Sequence, residues 1–267
     1  MESYYAKQLE CLCSQVRPGD REAMEASKRH WNKIAKPLDG LGRMEDLLVK
    51  IAGVVRSEKL CLERKAVVVF CADNGVVAEG VTQTGSEVTA VVTENIARGI
   101  ASVNRMASVA GADVIPIDVG VKGRLQETGI RNCRIADGTA NLLHEPAMTM
   151  EQTLEAIHTG IALAGELKDS GYDLLAVGEM GIGNTTTSSA IASVMLEQPP
   201  EAVTGRGAGL SGEGLERKIQ VIQKAIVLHG PDREKPLEVL SALGGLDIAA
   251  MTGSVSYTHL TLPTILR

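Results

Sequence analysis

A glycine-rich segment at residues 177–187 has the residue types best suited to hold an anion. Its three glycines allow the backbone to approach a ligand closely, and it lies between a predicted strand and a predicted helix. Free amides and the helix dipole favour a negative charge at a helix start, where hydroxyl and amide side chains can cap the helix or bind phosphate. The predicted phosphate-binding residues of this segment are Gly181, Gly183, Asn184, Thr185 and Thr186.

Two well-known phosphate motifs almost fit this segment, and each fails at one position. Residues 178–185 match Gly-x-x-x-x-Gly-Lys-[Ser/Thr], except that Asn184 replaces the lysine that reaches the outer phosphates. Residues 181–186 begin as a dinucleotide fingerprint, but Thr186 stands where the third glycine belongs. Triphosphate chemistry and an NAD-dependent oxidoreductase are therefore disfavoured, and a monophosphate ester suits the loop better.

A second glycine cluster, which includes Gly205 and Gly207, precedes a predicted helix that carries Lys218. A lysine one or two turns into that helix could reach the same phosphate, although the spacing is equally consistent with a solvated side chain. Glu179 lies in an apolar, glycine-rich strand end, where a carboxylate is costly unless it is paired or bound to a ligand. We therefore predict that Glu179, Gly205, Gly207 and Lys218 belong to the same site.

The composition disfavours a nucleic-acid partner. The formal net charge is −6, whereas affinity for nucleic acids depends on neutralising phosphates with basic residues. Aromatic residues make up only 2% of the chain, so the stacking platforms that single strands need are scarce. The 267 residues suffice for one large domain with a sizeable core.

The cysteines, the histidines and the hydropathy of the chain indicate its cellular compartment and whether it binds a metal or a membrane. Five cysteines without paired zinc spacing and five scattered histidines predict reduced thiols and no metal site. The first residues are polar, and no apolar run approaches the roughly 20 residues of a membrane-spanning helix. We expect a cytoplasmic protein with small-molecule ligands, no cofactor and no membrane contact.

Hydrophobic periodicity predicts an α/β fold with a mostly parallel sheet, helices on both faces and a small helical N-terminal lobe. Ligands of such sheets lie outside the carboxyl ends of the strands, where Asp73 directly follows the first predicted strand. The predicted elements are helices up to residue 57, including 43–55, strands at 66–72, 113–119 and 173–177, and helices at 87–110, 151–168, 184–196 and 212–228.

Five segments in a fixed order resemble one enzyme family. They are residues 36–43 (KPLDGLGR), 71–76 (CADNGV), 178–186, 205–210 and 243–253 (LGGLDIAAMTG). In this order they resemble the nicotinate-nucleotide–dimethylbenzimidazole phosphoribosyltransferases, over about residues 36–253. These enzymes join nicotinate mononucleotide to 5,6-dimethylbenzimidazole and give α-ribazole 5'-phosphate and nicotinate, a step of cobalamin lower-ligand synthesis.

The resemblance implies a homodimer whose glycine-rich loops hold the nucleotide. It implies that Glu179, Gly181 and residues 184–186 line the nucleotide site, that Lys218 lies near the phosphate, and that Thr84 contacts the benzimidazole. Asn74 stands where many members have histidine, and residues 91–92 are valines where a glutamine is common. The preferred base therefore stays open.

The resemblance ends at Gly253, and it implies that the catalytic base is a glutamate farther toward the C-terminus. Residues 254–267 are similar to translated adapter sequence, and we expect an extended, weakly contacted tail there. The expected organisation is a helical segment at 1–57, a nucleotide-binding core at 58–253 and this tail. The expected function is the transferase with a chain that turns over little, and the alternative is a non-catalytic nucleotide-binding protein.

Overall fold

A computed structural model describes residues 4–14 and 18–261, with side chains up to residue 257. Among the described residues, no helix combines the length and the apolar character that crossing a bilayer requires. The elements are α1 (Tyr4–Cys13), α2 (Arg21–Lys33), α3 (Arg43–Val55), β1 (Lys65–Ala72), a 3-10 helix (Gly75–Glu79), α4 (Glu87–Ala97), α5 (Ser102–Val109), β2 (Ala112–Gly120), β3 (Arg131–Asn132), α6 (Met150–Asp169), β4 (Leu174–Met180), α7 (Asn184–Met195), α8 (Pro200–Val203), α9 (Gly212–His229), α10 (Pro236–Leu243) and α11 (Leu246–Thr261).

The sheet has four parallel strands in the order β3-β2-β1-β4. The side chains of β1 alternate between the two faces, as the two-residue period of a strand requires. Val68 and Phe70 pack into the core shared with α6 and α11, whereas Val69 and Cys71 pack with residues of α4 and α5. The predicted parallel α/β fold with helices on both faces is confirmed.

The single long helix predicted at residues 87–110 is wrong, because the chain forms two helices there. Gly99 takes a φ of +76° between α4 and α5, a conformation that a regular helix does not contain. The Asn104 side chain then stabilises the new helix start, since it accepts a hydrogen bond from the Ala101 amide and donates one to the Ile96 carbonyl. The two-residue strand β3 was also not predicted, being too short to show a period.

The predicted N-terminal helices are present. α2 and α3 pack against each other, while α1 lies against α6, where Leu9 and Leu12 join the core. The break predicted near residue 36 is stabilised by an ion pair in which Lys36 Nζ lies 2.8 Å from Glu45 Oε1. The same carboxylate accepts a hydrogen bond from the Leu41 amide, so it holds both ends of the connection between α2 and α3.

α6 and α11 approach each other closely through two glycines. A Cβ atom on Gly160 would lie 1.8 Å from the Ala250 carbonyl oxygen, and one on Gly253 would lie 1.9 Å from the Ile157 carbonyl oxygen. Because only glycine fits at such a distance, the two backbones touch directly. This contact fixes α11 beneath the carboxyl end of the sheet.

The expectation of an extended tail after Gly253 is wrong for the described part of that segment. α11 continues to Thr261, and its face toward α6 recurs at helical spacing. Ser254 is buried, and the Tyr257 ring lies against Gly165 with its centroid 5.9 Å from Lys168 Nζ. The rest of the expected tail, residues 262–267, lies outside the described residues.

Candidate functional site

The glycine loop lies where the sequence predicts, at the carboxyl end of a parallel strand. β4 ends at Met180, and α7 begins at Asn184. Gly181 must be glycine, since its Cβ would lie 2.2 Å from the Ala72 carbonyl oxygen. Gly183 has a φ of +96°, which favours glycine, and it occupies the position before the first helical residue. The loop is therefore built to pass close to the central strand.

Several amides at this loop are already paired, so fewer of them are free for an anion than the sequence suggested. The Ile182 amide donates to the Thr89 hydroxyl. The Asn184 amide donates to the Gly181 carbonyl, and the Thr186 amide donates to that of Gly183. An anion at this loop must therefore rely on side chains as well as on the backbone.

Lys218 supplies the positive charge of the site. It is 1% exposed, and its Nζ donates to Thr185 Oγ1 at 2.8 Å and to the Gly205 carbonyl at 3.2 Å. In the described part of the chain no carboxylate pairs with it, and burial lowers its pKa. The alternative of a solvated lysine is wrong, and a buried ammonium without a counter-ion favours an anionic ligand.

Gly205 and Gly207 come together with Lys218, as the sequence predicts. Gly207 has a φ of +55°, and a Cβ atom there would lie 2.9 Å from Thr185 Oγ1. The two glycine clusters therefore meet at Thr185. Thr186 is fully buried, and among the described residues its hydroxyl has no hydrogen-bond partner, so it is not joined to Lys218 as Thr185 is.

Glu179 forms the acidic side of the site. Its carboxylate accepts a short hydrogen bond from the Asn184 side-chain amide. Burial raises the pKa of Glu179, and this hydrogen bond opposes the effect. Asn184 therefore does not cap α7, as the sequence had suggested, but holds Glu179 in place.

The sequence did not predict Asp247 as a site residue, and it marked Asn74 only as a departure from the histidine that many family members have. Both residues are fully buried beside the loop. Asn74 Nδ2 donates to the Ile182 carbonyl at 3.3 Å, while its Oδ1 has no partner. Asp247 Oδ1 accepts from the Ile248 amide at 2.9 Å, and Oδ2 has no partner. Burial and the nearby Glu179 carboxylate raise the pKa of Asp247 to about 7, opposed most strongly by the Ile248 amide.

A signal for Asp247 existed in the sequence. It is the only charged residue between residues 243 and 253, and it follows two glycines at the start of an apolar helix. An acidic residue in a first helical turn is ordinarily explained by the helix dipole, so this pattern did not point to a site.

Asp73 and Thr84 lie at the edges of the site. Asp73 is fully buried, accepts from the Lys122 amide at 2.7 Å through Oδ2 and leaves Oδ1 without a partner. Burial raises the pKa of Asp73, which the Lys122 amide opposes. Thr84 lies on an exposed loop that reaches the second glycine cluster, because Gln83 donates to the Gly209 carbonyl. In the described part of the chain, no group of acidic, cysteine and histidine side chains is arranged to hold a metal ion.

A family model described as "Phosphoribosyltransferase" matches residues 16–260, which is most of the chain. The chain belongs to this family. The match extends seven residues beyond Gly253, where the sequence resemblance was expected to end.

Curated relatives and solved structures agree with this assignment. The nicotinate-nucleotide–dimethylbenzimidazole phosphoribosyltransferase of Acetivibrio thermocellus is 44% identical over 87% of the chain and 66% of that protein. The enzyme of the same name from Ruminiclostridium cellulolyticum is 42% identical over 87% and 66%. The crystal structure of CobT from Thermus thermophilus superposes with a TM-score of 0.83 at 39% identity, covering 88% of the chain and 71% of that structure. The chain thus spans about two thirds of the length of the curated relatives it matches.

Proposed function

We propose that this chain binds nicotinate mononucleotide and belongs to an enzyme that transfers its phosphoribosyl group to 5,6-dimethylbenzimidazole. The products are α-ribazole 5'-phosphate and nicotinate. The family, the names of the relatives and the layout of the glycine loop support this proposal.

One observation carries the proposal, namely that two adjacent residues are hydrogen-bonded to side chains of opposite charge. Asn184 is hydrogen-bonded to the carboxylate of Glu179, and Thr185 is hydrogen-bonded to the ammonium of Lys218. The acidic and basic parts of the site therefore lie close together at the start of α7. Nicotinate mononucleotide has an anionic phosphate at one end and a ring with a positively charged pyridinium nitrogen and a carboxylate at the other. Its phosphate suits the basic part of the site, and its pyridinium nitrogen suits the acidic part.

The proposed roles follow from the charges. Lys218 and the Thr185 hydroxyl hold the phosphate, and Glu179 faces the ribose and its cationic ring. The bond between ribose C1 and the pyridinium nitrogen breaks, and nicotinate leaves with the bonding electrons. A benzimidazole nitrogen then bonds to C1 from the opposite face, so the configuration inverts, and the other ring nitrogen loses its proton to a base.

The base is the open part of this mechanism. The resemblance assigns it to a glutamate beyond Gly253, whereas Glu179 is the carboxylate of the described site nearest to the ligand. The preferred benzimidazole is equally open, since Asn74 and residues 91–92 depart from the family pattern.

Binding and transfer can be measured separately on the 267-residue chain. We expect calorimetry to show binding of nicotinate mononucleotide, with Lys218→Met weakening it, and chromatography to show little α-ribazole 5'-phosphate. A positioned base contributes about 10²–10⁴-fold, so the assay must resolve a low residual rate. Transfer close to that of the Acetivibrio thermocellus enzyme would assign the base to a residue of this chain, with Glu179 tested first.

The second candidate function is a nucleotide-binding protein without catalysis. Supplying a base by exogenous buffer distinguishes the two. Slow transfer that rises with the concentration of a carboxylate buffer supports an enzyme site, whereas tight binding without any buffer-dependent transfer supports the binding protein.

We also propose a homodimer in the cytoplasm. Apolar side chains are exposed at and near the start of α3, with Leu38 72% and Met44 53% exposed, and a second copy of the chain would cover them. All five cysteines are free thiols, which suits a reducing compartment. Sedimentation of Leu38→Asp should show monomer, whereas the equally apolar but separate Val227→Asp on α9 should not change the oligomeric state.

A further inference from the structure

Asp247 and Glu179 form a pair of carboxyl groups without a cationic partner. Asp247 is completely buried, and Glu179 receives only the hydrogen bond from Asn184. In the described part of the chain neither carboxylate forms an ion pair with lysine, arginine or histidine. Two unpaired negative charges in such surroundings are costly, so the site must gain either a proton or an external cation.

The geometry leaves Asp247 aimed at the ligand loop rather than at the core. A Cβ atom on Gly181 would lie 3.0 Å from Asp247 Oδ2, and one on Gly245 would lie 2.3 Å from Asp247 Oδ1. The two atoms without partners, Asp247 Oδ2 and Asn74 Oδ1, are therefore gathered behind Gly181. Fully buried polar atoms without partners indicate that the site is incomplete without its ligand.

The elements packed against the start of α11 supply no other titratable charge that could replace Glu179. From β1, the Cys71 thiol has its pKa raised to about 12 by burial and stays neutral. From β2, Asp118 is already paired with Arg134 at 3.0 Å. α6 meets α11 through Ile157 and Gly160, while the neighbouring His158 lies against the Tyr5 ring instead.

On this basis, and resting on the proposed function, we infer that Asp247 holds a proton in the ligand-free site and loses it to solvent when the cationic ring of the nucleotide binds beside Glu179. Asp247 thus acts as a positioning residue that exchanges its proton for the charge of the ligand. The neutral carboxyl becomes a carboxylate, one proton leaves, and no other bond changes.

The direction of the effect follows from the sign of the ligand charge. The positive charge of the nicotinate ring lies on its pyridinium nitrogen, and its negative charge lies on the ring carboxylate. With the nitrogen beside the two carboxyl groups and the ring carboxylate turned away from them, their ionised forms are favoured, so bound nicotinate mononucleotide lowers the pKa of Asp247 from about 7. The phosphate has the opposite tendency, but Lys218 neutralises it at the other end of the site. Affinity for the nucleotide should therefore rise with pH up to about 7 and then level off.

Calorimetry of the 267-residue chain in buffers of different ionisation enthalpy tests this inference. At about pH 6 the phosphate itself releases a fraction of a proton on binding beside Lys218, since its second pKa is about 6. We expect nicotinate mononucleotide to release close to one proton beyond that fraction. Ribose 5-phosphate is the matched ligand, because it keeps the phosphate and the sugar without the pyridinium ring, and it should release only the fraction of a proton that comes from its phosphate. Asp247→Asn keeps the shape of the side chain, and it should bind the nucleotide with no more proton release than ribose 5-phosphate gives with the wild-type chain.

The outcomes separate the two proposals. Binding of nicotinate mononucleotide with no proton release, or equal release by Asp247→Asn, overturns the inference and leaves the proposed function standing. Failure of the nucleotide to bind at all rejects the proposed function, and the inference falls with it. Release by ribose 5-phosphate equal to that of nicotinate mononucleotide would assign the whole effect to the phosphate end of the site and also overturns the inference.

A second variant covers the case in which Asp247→Asn fails to fold. Glu179→Gln removes the neighbouring charge that raises the pKa of Asp247, so Asp247 should already be largely ionised before the ligand arrives. We expect proton release to fall by at least half, and an unchanged release would contradict the coupling of the two groups.

Discussion

Lys218 Nζ lies 2.8 Å from Thr185 Oγ1, and this hydrogen bond joins α9 to the first turn of α7. It connects the two glycine clusters, which are about 20 residues apart in the sequence, into one anion site. The ammonium has no carboxylate partner in the described part of the chain, so its stabilising partner is expected to be the ligand.

Replacing this lysine should reduce ligand affinity more than stability. We expect Lys218→Met to weaken nicotinate mononucleotide binding roughly 10- to 100-fold, because a hydrogen bond to a charged group contributes about 1.5–3 kcal/mol. Removing a buried ammonium should leave the urea midpoint unchanged or higher. Lys224→Met, on an exposed position of the same helix, is the control, and equal affinity losses in both variants would contradict a phosphate role for Lys218.

The glycine at position 181 should be irreplaceable, whereas its neighbour at 178 should not. Gly181→Ala places a methyl group 2.2 Å from the Ala72 carbonyl oxygen, and forcing an extra group into packed surroundings costs about 1–3 kcal/mol. Gly178→Ala meets no atom within 4 Å and should change stability by well under this amount. Equilibrium urea unfolding measures both, and similar losses would mean that the loop can move aside.

The buried carboxyl of Asp247 should make stability depend on pH. Its pKa rises from an ordinary 3.8 to about 7 in the folded chain, so the folded state keeps a proton that the unfolded state has lost between these values. This contribution is fully present below about pH 4, is lost as pH rises, and is gone above about pH 7. Relative to Asp247→Asn, the wild-type chain should lose roughly 4 kcal/mol of unfolding free energy across this range. A constant difference between the two proteins would show that Asp247 is ionised throughout.

The last described turns of α11 should stabilise the fold. Tyr257→Ala removes the ring that lies against Gly165 and near Lys168, and it should cost about 1–3 kcal/mol, a few degrees in the thermal midpoint. Val255→Ala, at a 43% exposed position of the same helix, should have a smaller effect. No change in either variant would restore the expectation of a weakly contacted tail.

Much of the fold followed from hydrophobic patterns. The continuous apolar run at residues 66–72 predicted a strand buried on both faces, and β1 is the central strand. The break between α4 and α5 could not be predicted, because Gly99 inside an apolar pattern is tolerated in many helices. Its effect depends on Asn104, whose hydrogen bonds are visible only in three dimensions.

The sequence predicted those site residues whose type is unusual for their position in a strand or helix. It missed those whose type is common at such a position. Glu179 in an apolar strand end and the glycine loop stood out in the sequence. Asp247 looked like a common first-turn acid, and only the approach of Gly181 and Glu179 from another part of the chain distinguishes it. Long-range encounters of this kind are absent from local sequence patterns.

The contact between Gly160 and α11 affects the site from a distance. Asp247 lies six residues before Gly253, or about 9 Å along the helix, so the spacing of α6 and α11 sets how far its carboxyl group stands from Glu179. A side chain at position 160 would push α11 away without touching any ligand residue. Substitutions where α6 meets α11 would therefore change the pH optimum of a member of this family and leave every ligand contact in place.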